Sequence, residues 1–128
     1  MVYSERNMKK ILLIEDVDDT VELVQKILTS RGYEFVYASD AETGLQAALE
    51  TLPDLILLDL GLPDYDGQTV AGWIHNEKSL FSTPLIAFTA WPEETAIQMV
   101  NSYGFTGYIS KPIVNVNEFS ERVASFLK

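Results

Sequence analysis

The sequence has no cysteine and only one histidine, His75. Thiolate zinc sites, thiol nucleophiles and a disulfide framework are therefore excluded, and a lone mid-helix imidazole, structural or solvent-facing, gives no basis for a histidine-built metal centre. An intracellular setting fits the missing thiols. Apolar residues nowhere run long enough for a membrane span or for the core of a signal peptide, so the expectation is a soluble, cytoplasmic protein. Repeats, low-complexity tracts and linkers are also lacking, and 128 residues read as one domain able to bury a core without staples.

Positive charge is scarce as well: 9 Lys and Arg stand against 19 Asp and Glu, a net charge of −10. The deficit is local. Residues 1–10 carry +2, residues 11–66 carry −11 and residues 67–128 carry −1. A surface this acidic repels phosphate backbones, which argues against direct nucleic-acid binding. The near-neutral second half holds Trp91, Tyr103, Phe105, Tyr108, Phe119 and Phe126, candidates either for the core or for a protein-binding surface.

What is present is a strict alternation. Ile11–Ile14, Leu55–Leu58 and Leu85–Phe88 are short, fully apolar runs, the pattern of strands buried on both faces in a parallel sheet. Phe35–Ala38 and Gly107–Ser110 complete a set of five. Between them lie five helical patterns. Val21, Val24 and Leu28, with Leu23 and Ile27 beside them, run to a stop at Arg31-Gly32. Ser39 with Glu42 has the form of a capping box opening a second helix, with a stripe of Leu45, Ala48, Leu49 and Leu52 ended by Pro53. Val70, Trp73 and Ile74 mark a third helix from Gly67. Pro92 with Glu93 and Glu94 starts a fourth, whose inner face is Ala96, Met99, Val100 and Tyr103 and which Gly104 stops. Asn115 and Glu118 cap a fifth helix carrying Phe119, Val123, Phe126 and Leu127. The fold class is α/β, a doubly wound five-stranded parallel sheet with right-handed crossovers, and the order that suits this length is 2-1-3-4-5.

That order gathers the polar strand ends. The first strand ends in Glu15-Asp16, the third in Asp59, the fourth in Thr89 and the fifth in Lys111, while the second, at the edge, ends in Ala38-Ser39 without charge. Ligands of open α/β sheets bind at this carboxyl edge. Asp59 has a plainer reading as a turn cap, since Gly61, Pro63 and Gly67 break the chain behind it. Three carboxylates brought together repel unless a cation intervenes, and oxygen-only ligands select a hard divalent ion such as Mg²⁺. A carboxylate beside Mg²⁺, the Lys111 ammonium and the Thr89 hydroxyl suits phosphoryl transfer to the carboxylate itself. An aspartyl-nucleophile phosphohydrolase would want a general acid two residues beyond the nucleophile, where Gly61 stands. A nucleotide-binding domain would want a glycine-rich loop where Glu15-Asp16-Val17-Asp18-Asp19 stands.

The acidic pair Glu15-Asp16, the segment Asp59-x-x-Leu62-Pro63-x-x-x-Gly67, Thr89-Ala90 and Lys111-Pro112 occur in order at successive strand ends. In these motifs, from about Lys10 to Lys128, the chain resembles the receiver domains of bacterial two-component response regulators, of the flavodoxin-like, single-domain chemotaxis type, leaving 1–9 as a flexible extension. The resemblance implies that Asp59 accepts a phosphoryl group from a sensor histidine kinase or phosphotransfer protein. It implies Mg²⁺ held by Asp16, Asp59 and the Gly61 carbonyl, with Glu15 acting mainly through water, and Lys111 paired with the phosphate. Thr89 would move toward the phosphoryl group and let Tyr108 swing inward, changing the face made by the fourth helix, fifth strand and fifth helix for an unidentified partner. Such a protein is no enzyme in the ordinary sense, but an acceptor that assists its own phosphorylation and dephosphorylation. No output domain follows Lys128, so a stand-alone regulator is expected, with a receiver excised from a larger regulator or hybrid kinase as the alternative and a non-phosphorylated interaction module as a third. The fourth helix has no Lys or Arg for charged pairing with a second copy, so a monomer is expected, a weak dimer through that face being the alternative.

Glu15, in place of Asp, keeps the metal site in this reading, and Trp91, two residues past Thr89, points in an extended chain to the threonine's side. If its ring partly covers the phosphoryl group, Trp91→Ala accelerates dephosphorylation measured by loss of label. An unchanged rate leaves Trp91 as a packing or partner-contact residue.

Overall fold

The computed structural model describes residues 8–127, so most of the extension expected over residues 1–9 lies outside the described residues. Ten elements alternate: β1 (Lys10–Ile14), α1 (Asp18–Ser30), β2 (Glu34–Ala38), α2 (Ala41–Thr51), β3 (Leu55–Asp59), α3 (Gly67–His75), β4 (Leu85–Thr89), α4 (Glu93–Tyr103), β5 (Gly107–Ser110) and α5 (Val116–Phe126). The sheet is parallel throughout and ordered β2-β1-β3-β4-β5, the order expected for a chain of this length. Among the described residues no helix is long and apolar enough to cross a membrane.

The pleat divides the core in two. Leu12, Ile14, Ile56, Leu58, Leu85 and Ala87 face α2, α3 and α4. Ile11, Leu13, Leu55, Leu57, Ile86 and Phe88 face α1 and α5. The three inner strands are buried throughout except at Lys10, the half-buried first residue of β1, which is why they read as apolar runs, while edge strand β2 leaves Tyr37 exposed.

Several local expectations are corrected by the structure. α2 is capped by Asp40, whose carboxylate accepts from the Thr43 N–H at 2.8 Å, and not by Ser39. Its buried face is Ala41, Gly44 and Ala48, with Leu45 half-buried and Leu49 and Leu52 exposed. Small residues win because the helix lies close on β1: a Cβ at Gly44 would sit 2.7 Å from Ile14 Cδ1, a space a leucine stripe could not enter. In α1 Leu23 is exposed beside buried Val21, Val24, Ile27 and Leu28, and in α4 Tyr103 is exposed while Ala96 and Met99 are buried. Pro92 stands at the N-cap position with helix starting at Glu93, and His75 is the last residue of α3, its Nε2 buried without a hydrogen-bond partner against the backbone of Gly104.

Asn115 caps α5 as expected, accepting from the Glu118 N–H at 2.8 Å. Replacing Asp40 by Ala should lower the unfolding free energy by about 1 kcal/mol in urea denaturation. Ser39→Ala, at the position the pattern favoured, should stay within about 0.5 kcal/mol of the parent.

Candidate functional site

Strand register builds the site. Ile14 pairs with Leu58, Asp59 with Phe88 and Thr89 with Ser110, so Glu15, Asp59, Thr89 and Lys111 end four adjacent strands at nearly one level. Two hydrogen bonds carry the ladder one step past the strands: the Glu15 N–H donates to Ala38 O at 2.9 Å and the Lys111 N–H to Thr89 O at 2.8 Å. By the alternation of the pleat, Glu15, Asp59 and Lys111 leave the sheet toward α1 and α5, and Thr89 leaves toward the other face.

The consequence is a tight ionic cluster. Lys111 Nζ lies 2.8 Å from Glu15 Oε1 and 3.3 Å from Asp59 Oδ1, and 5.2 Å from the centre of the Phe88 ring that floors it. Glu15 and Asp59 are buried and Asp16 is exposed, yet carboxylate oxygens of all three lie within 4.8 Å of one another. Glu15 Oε2 also accepts from the Val17 N–H at 3.2 Å. Burial pushes the Glu15 carboxyl above the usual range, and the neighbouring Asp59 adds to this while Lys111 pulls it back. A site that holds three acids against one ammonium and offers only oxygen donors fits a hard divalent cation, and the three carboxylates expected there, Glu15, Asp16 and Asp59, are brought together.

The remaining expected residues fall around this centre. The Gly61 N–H donates to Asp59 Oδ1 at 3.0 Å, orienting the carboxylate. Thr89 is buried, and its Oγ1 accepts from the Trp91 N–H at 2.9 Å, which leaves the hydroxyl proton free to donate elsewhere. Ala90 and Pro112 join Lys111, Phe88 and Thr20 in walling a pocket of about 390 Å³ on the α1 side. Trp91 is 39% exposed. Tyr108 is half-buried with its hydroxyl outside, donating to Glu93 Oε2 at 2.6 Å, and that bond, more than burial, raises the phenol above its usual range.

Sequence reading missed Asp64. Its carboxylate, on the loop that follows Asp59, accepts from the Ala41 N–H at 2.9 Å and the Glu42 N–H at 3.2 Å, capping α2 from a distance of 23 residues. Desolvation works against the ionised form there, but the backbone N–H groups of Ala41, Glu42, Asp64 and Tyr65 outweigh it and lower the carboxyl below its usual range. No local pattern announces such a bond. Asp66, by contrast, caps α3 through the Thr69 N–H at 2.8 Å, a spacing legible in Asp66-Gly67-Gln68-Thr69.

An open parallel sheet of this order, with an acidic triad and a lysine meeting at its carboxyl rim, defines a receiver-type signalling domain. The chain belongs to the response regulator receiver domain family, whose family model matches residues 11–124. It is 33% identical to the polar-differentiation response regulator DivK of Brucella ovis over 119 residues, 93% of this chain and 96% of that protein. In fold it matches the chemotaxis response regulator CheY4 of Vibrio cholerae with a TM-score of 0.87 at 24% identity, covering 94% of this chain and 99% of that one. It also matches the receiver domain of the sensor histidine kinase PA1611 of Pseudomonas aeruginosa, a structure with a magnesium ion coordinated in the active-site cleft (TM-score 0.83, 25% identity, 93% of this chain and 97% of that one).

The raised Glu15 carboxyl has a signed consequence. Its folded-state value lies above the unfolded one, so the folded state holds the extra proton and stability falls as pH rises through that window. Without divalent metal, Glu15→Gln should therefore gain stability relative to the parent as pH is raised above about 4.5, and the advantage should vanish in more acid solution, measured by thermal unfolding.

Proposed function

We propose that this receiver domain works in a phosphorelay as the acceptor: Asp59 takes a phosphoryl group from the phosphohistidine of a sensor histidine kinase or phosphotransfer protein. One observation carries the reading. The Asp59 carboxylate sits at a strand end with an ammonium 3.3 Å away and two more carboxylates within 4.8 Å.

In the transfer an Asp59 oxygen attacks phosphorus, the O–P bond forms as the P–N bond breaks, and the electron pair returns to the departing imidazole. Lys111 neutralises the phosphoryl oxygens, exchanging its present partner Glu15 for them. Thr89 donates its free hydroxyl proton to one of the same oxygens. Asp16, Asp59 and the Gly61 carbonyl would hold magnesium, with Glu15 acting through water, as the magnesium in the PA1611 receiver supports. When bound, it supplies further neutralisation of the same charge. Water later attacks the acyl phosphate, breaking the O–P bond and releasing inorganic phosphate, so the chain turns itself off and is an acceptor more than an enzyme. Its place of action is the cytoplasm, where ATP charges histidine kinases.

Phosphorylation is read through Thr89 and Tyr108 as a change in the face formed by α4, β5 and α5, to which a downstream protein binds. Coverage of 96% of DivK favours a stand-alone regulator. Likeness to the PA1611 receiver favours the second reading, a receiver carried by a larger regulator or hybrid kinase, with the same chemistry at Asp59.

Acetyl phosphate with Mg²⁺ should add one phosphoryl group by intact mass, and Asp59→Asn should abolish the addition. Lys111→Ala should slow it on the order of 100-fold. No uptake by the parent chain would leave only a non-phosphorylated interaction module.

A further inference from the structure

Tyr108 is held from two sides by groups that the receiver motifs do not include. Its hydroxyl donates to Glu93 Oε2 at 2.6 Å, and Glu93 is the first residue of α4. From the other side, the Arg122 guanidinium on α5 donates to the Tyr108 carbonyl and stands 5.8 Å from the Tyr108 ring and 5.2 Å from the Phe126 ring. Phe126 is itself fixed, because it packs where a Cβ at Gly107 would come within 2.6 Å of its ring carbons. The three elements of the face are thus joined around one phenol.

We infer that Glu93 is a positioning residue that latches Tyr108 outward against α4 and so sets how much unphosphorylated protein occupies the switched arrangement. This rests on the phosphoacceptor reading above and adds to it the element that resists switching. An interaction biases a two-state equilibrium only if it differs between the states. The two contacts differ in this respect. The Arg122 bond is to a backbone carbonyl and survives rotation of the ring, whereas the Glu93 bond is to the phenol oxygen and is lost when the ring turns in.

Glu93 is also placed to feel the site. It follows Thr89 on the short connection Ala90-Trp91-Pro92, whose Trp91 N–H is tied to Thr89 Oγ1 at 2.9 Å. A movement of Thr89 toward Asp59 draws on that connection and on the start of α4. Release of Tyr108 and capture of the phosphoryl group by Thr89 are then parts of one displacement, with Glu93 opposing it.

The plain alternative is that Glu93 serves only the positive end of the α4 dipole. Glu94 shares that first turn and has no bond to Tyr108, so it is the control. The protein is labelled with 3-fluorotyrosine and the Tyr108 resonance is assigned by its loss in Tyr108→Phe. Mg²⁺ with beryllofluoride, a phosphoryl mimic, marks the switched position. Glu93→Ala without the mimic should move the resonance toward that position, corresponding to a roughly 3- to 10-fold larger inward population. Glu93→Gln, a neutral acceptor, should fall between, and Glu94→Ala should leave the resonance in place. Acetyl phosphate should modify Glu93→Ala faster than the parent, and the acceleration should disappear in a Tyr108→Phe background. A resonance unmoved by Glu93→Ala, or an acceleration that persists without the phenol, overturns the latch while phosphorylation of the parent still stands. A parent that answers neither mimic nor acetyl phosphate overturns the acceptor reading and the latch together.

Discussion

The Lys111 ammonium between Glu15 and Asp59 is the contact on which the remainder of the site depends. Three carboxylates stand at that rim, two of them buried, and removing charged groups from water is costly unless opposite charge lies at hand. The chain bears the cost because the strands leave little choice. Their apolar interiors fix the register, and the register delivers each terminal side chain to the same level. A slip of one residue in any inner strand would turn its polar end to the opposite face and mismatch the side chains packed on both faces of the sheet. The site's geometry is therefore held by the burial energy of side chains that never touch it.

The acidity of the first half acquires a structural meaning from this arrangement. Glu15, Asp16 and Asp59 form the site, Asp40 and Asp66 cap α2 and α3, and Asp54 accepts from the Lys10 N–H at 2.7 Å at the far edge of the sheet. Asp64 does something different: it ties the loop behind Asp59 to the start of α2. Tyr65, next to it, packs edge-on against Trp73 of α3 with ring centres 4.6 Å apart. The loop that frames Asp59 is thus pinned at two successive residues to two different helices, and its approach to the acceptor is set by those anchors more than by the glycines within it.

Legibility followed the range of the forces involved. The strands, the order of the sheet, the Asn115 cap and the set Glu15, Asp16, Asp59, Thr89 and Lys111 could be read from unbroken apolar runs and from the polar residues that terminate them. In α2 the leucines at helical spacing are the strongest local signal, but the helix buries its alanines and Gly44 to come close to Ile14. The capping-box spacing points to Ser39, but serine and aspartate are both good caps, and only the backbone turn decides that Asp40 carries the bond. Asp64, Glu93 and Arg122 had no local signal, since their partners lie on other elements.

The amino-acid sequence by itself determined which residues end the strands and which strands must be interior, because periodicity and burial act along the chain within a few residues. Only the tertiary structure decided what those ends do to one another: that Lys111 rests on Glu15, that Gly61 orients Asp59, and that the Tyr108 hydroxyl donates to Glu93 while Arg122 donates to the Tyr108 carbonyl. Most of those contacts join residues far apart in the chain at distances of a few ångströms. They are set by how helices settle on the sheet, a balance of packing that no local pattern encodes.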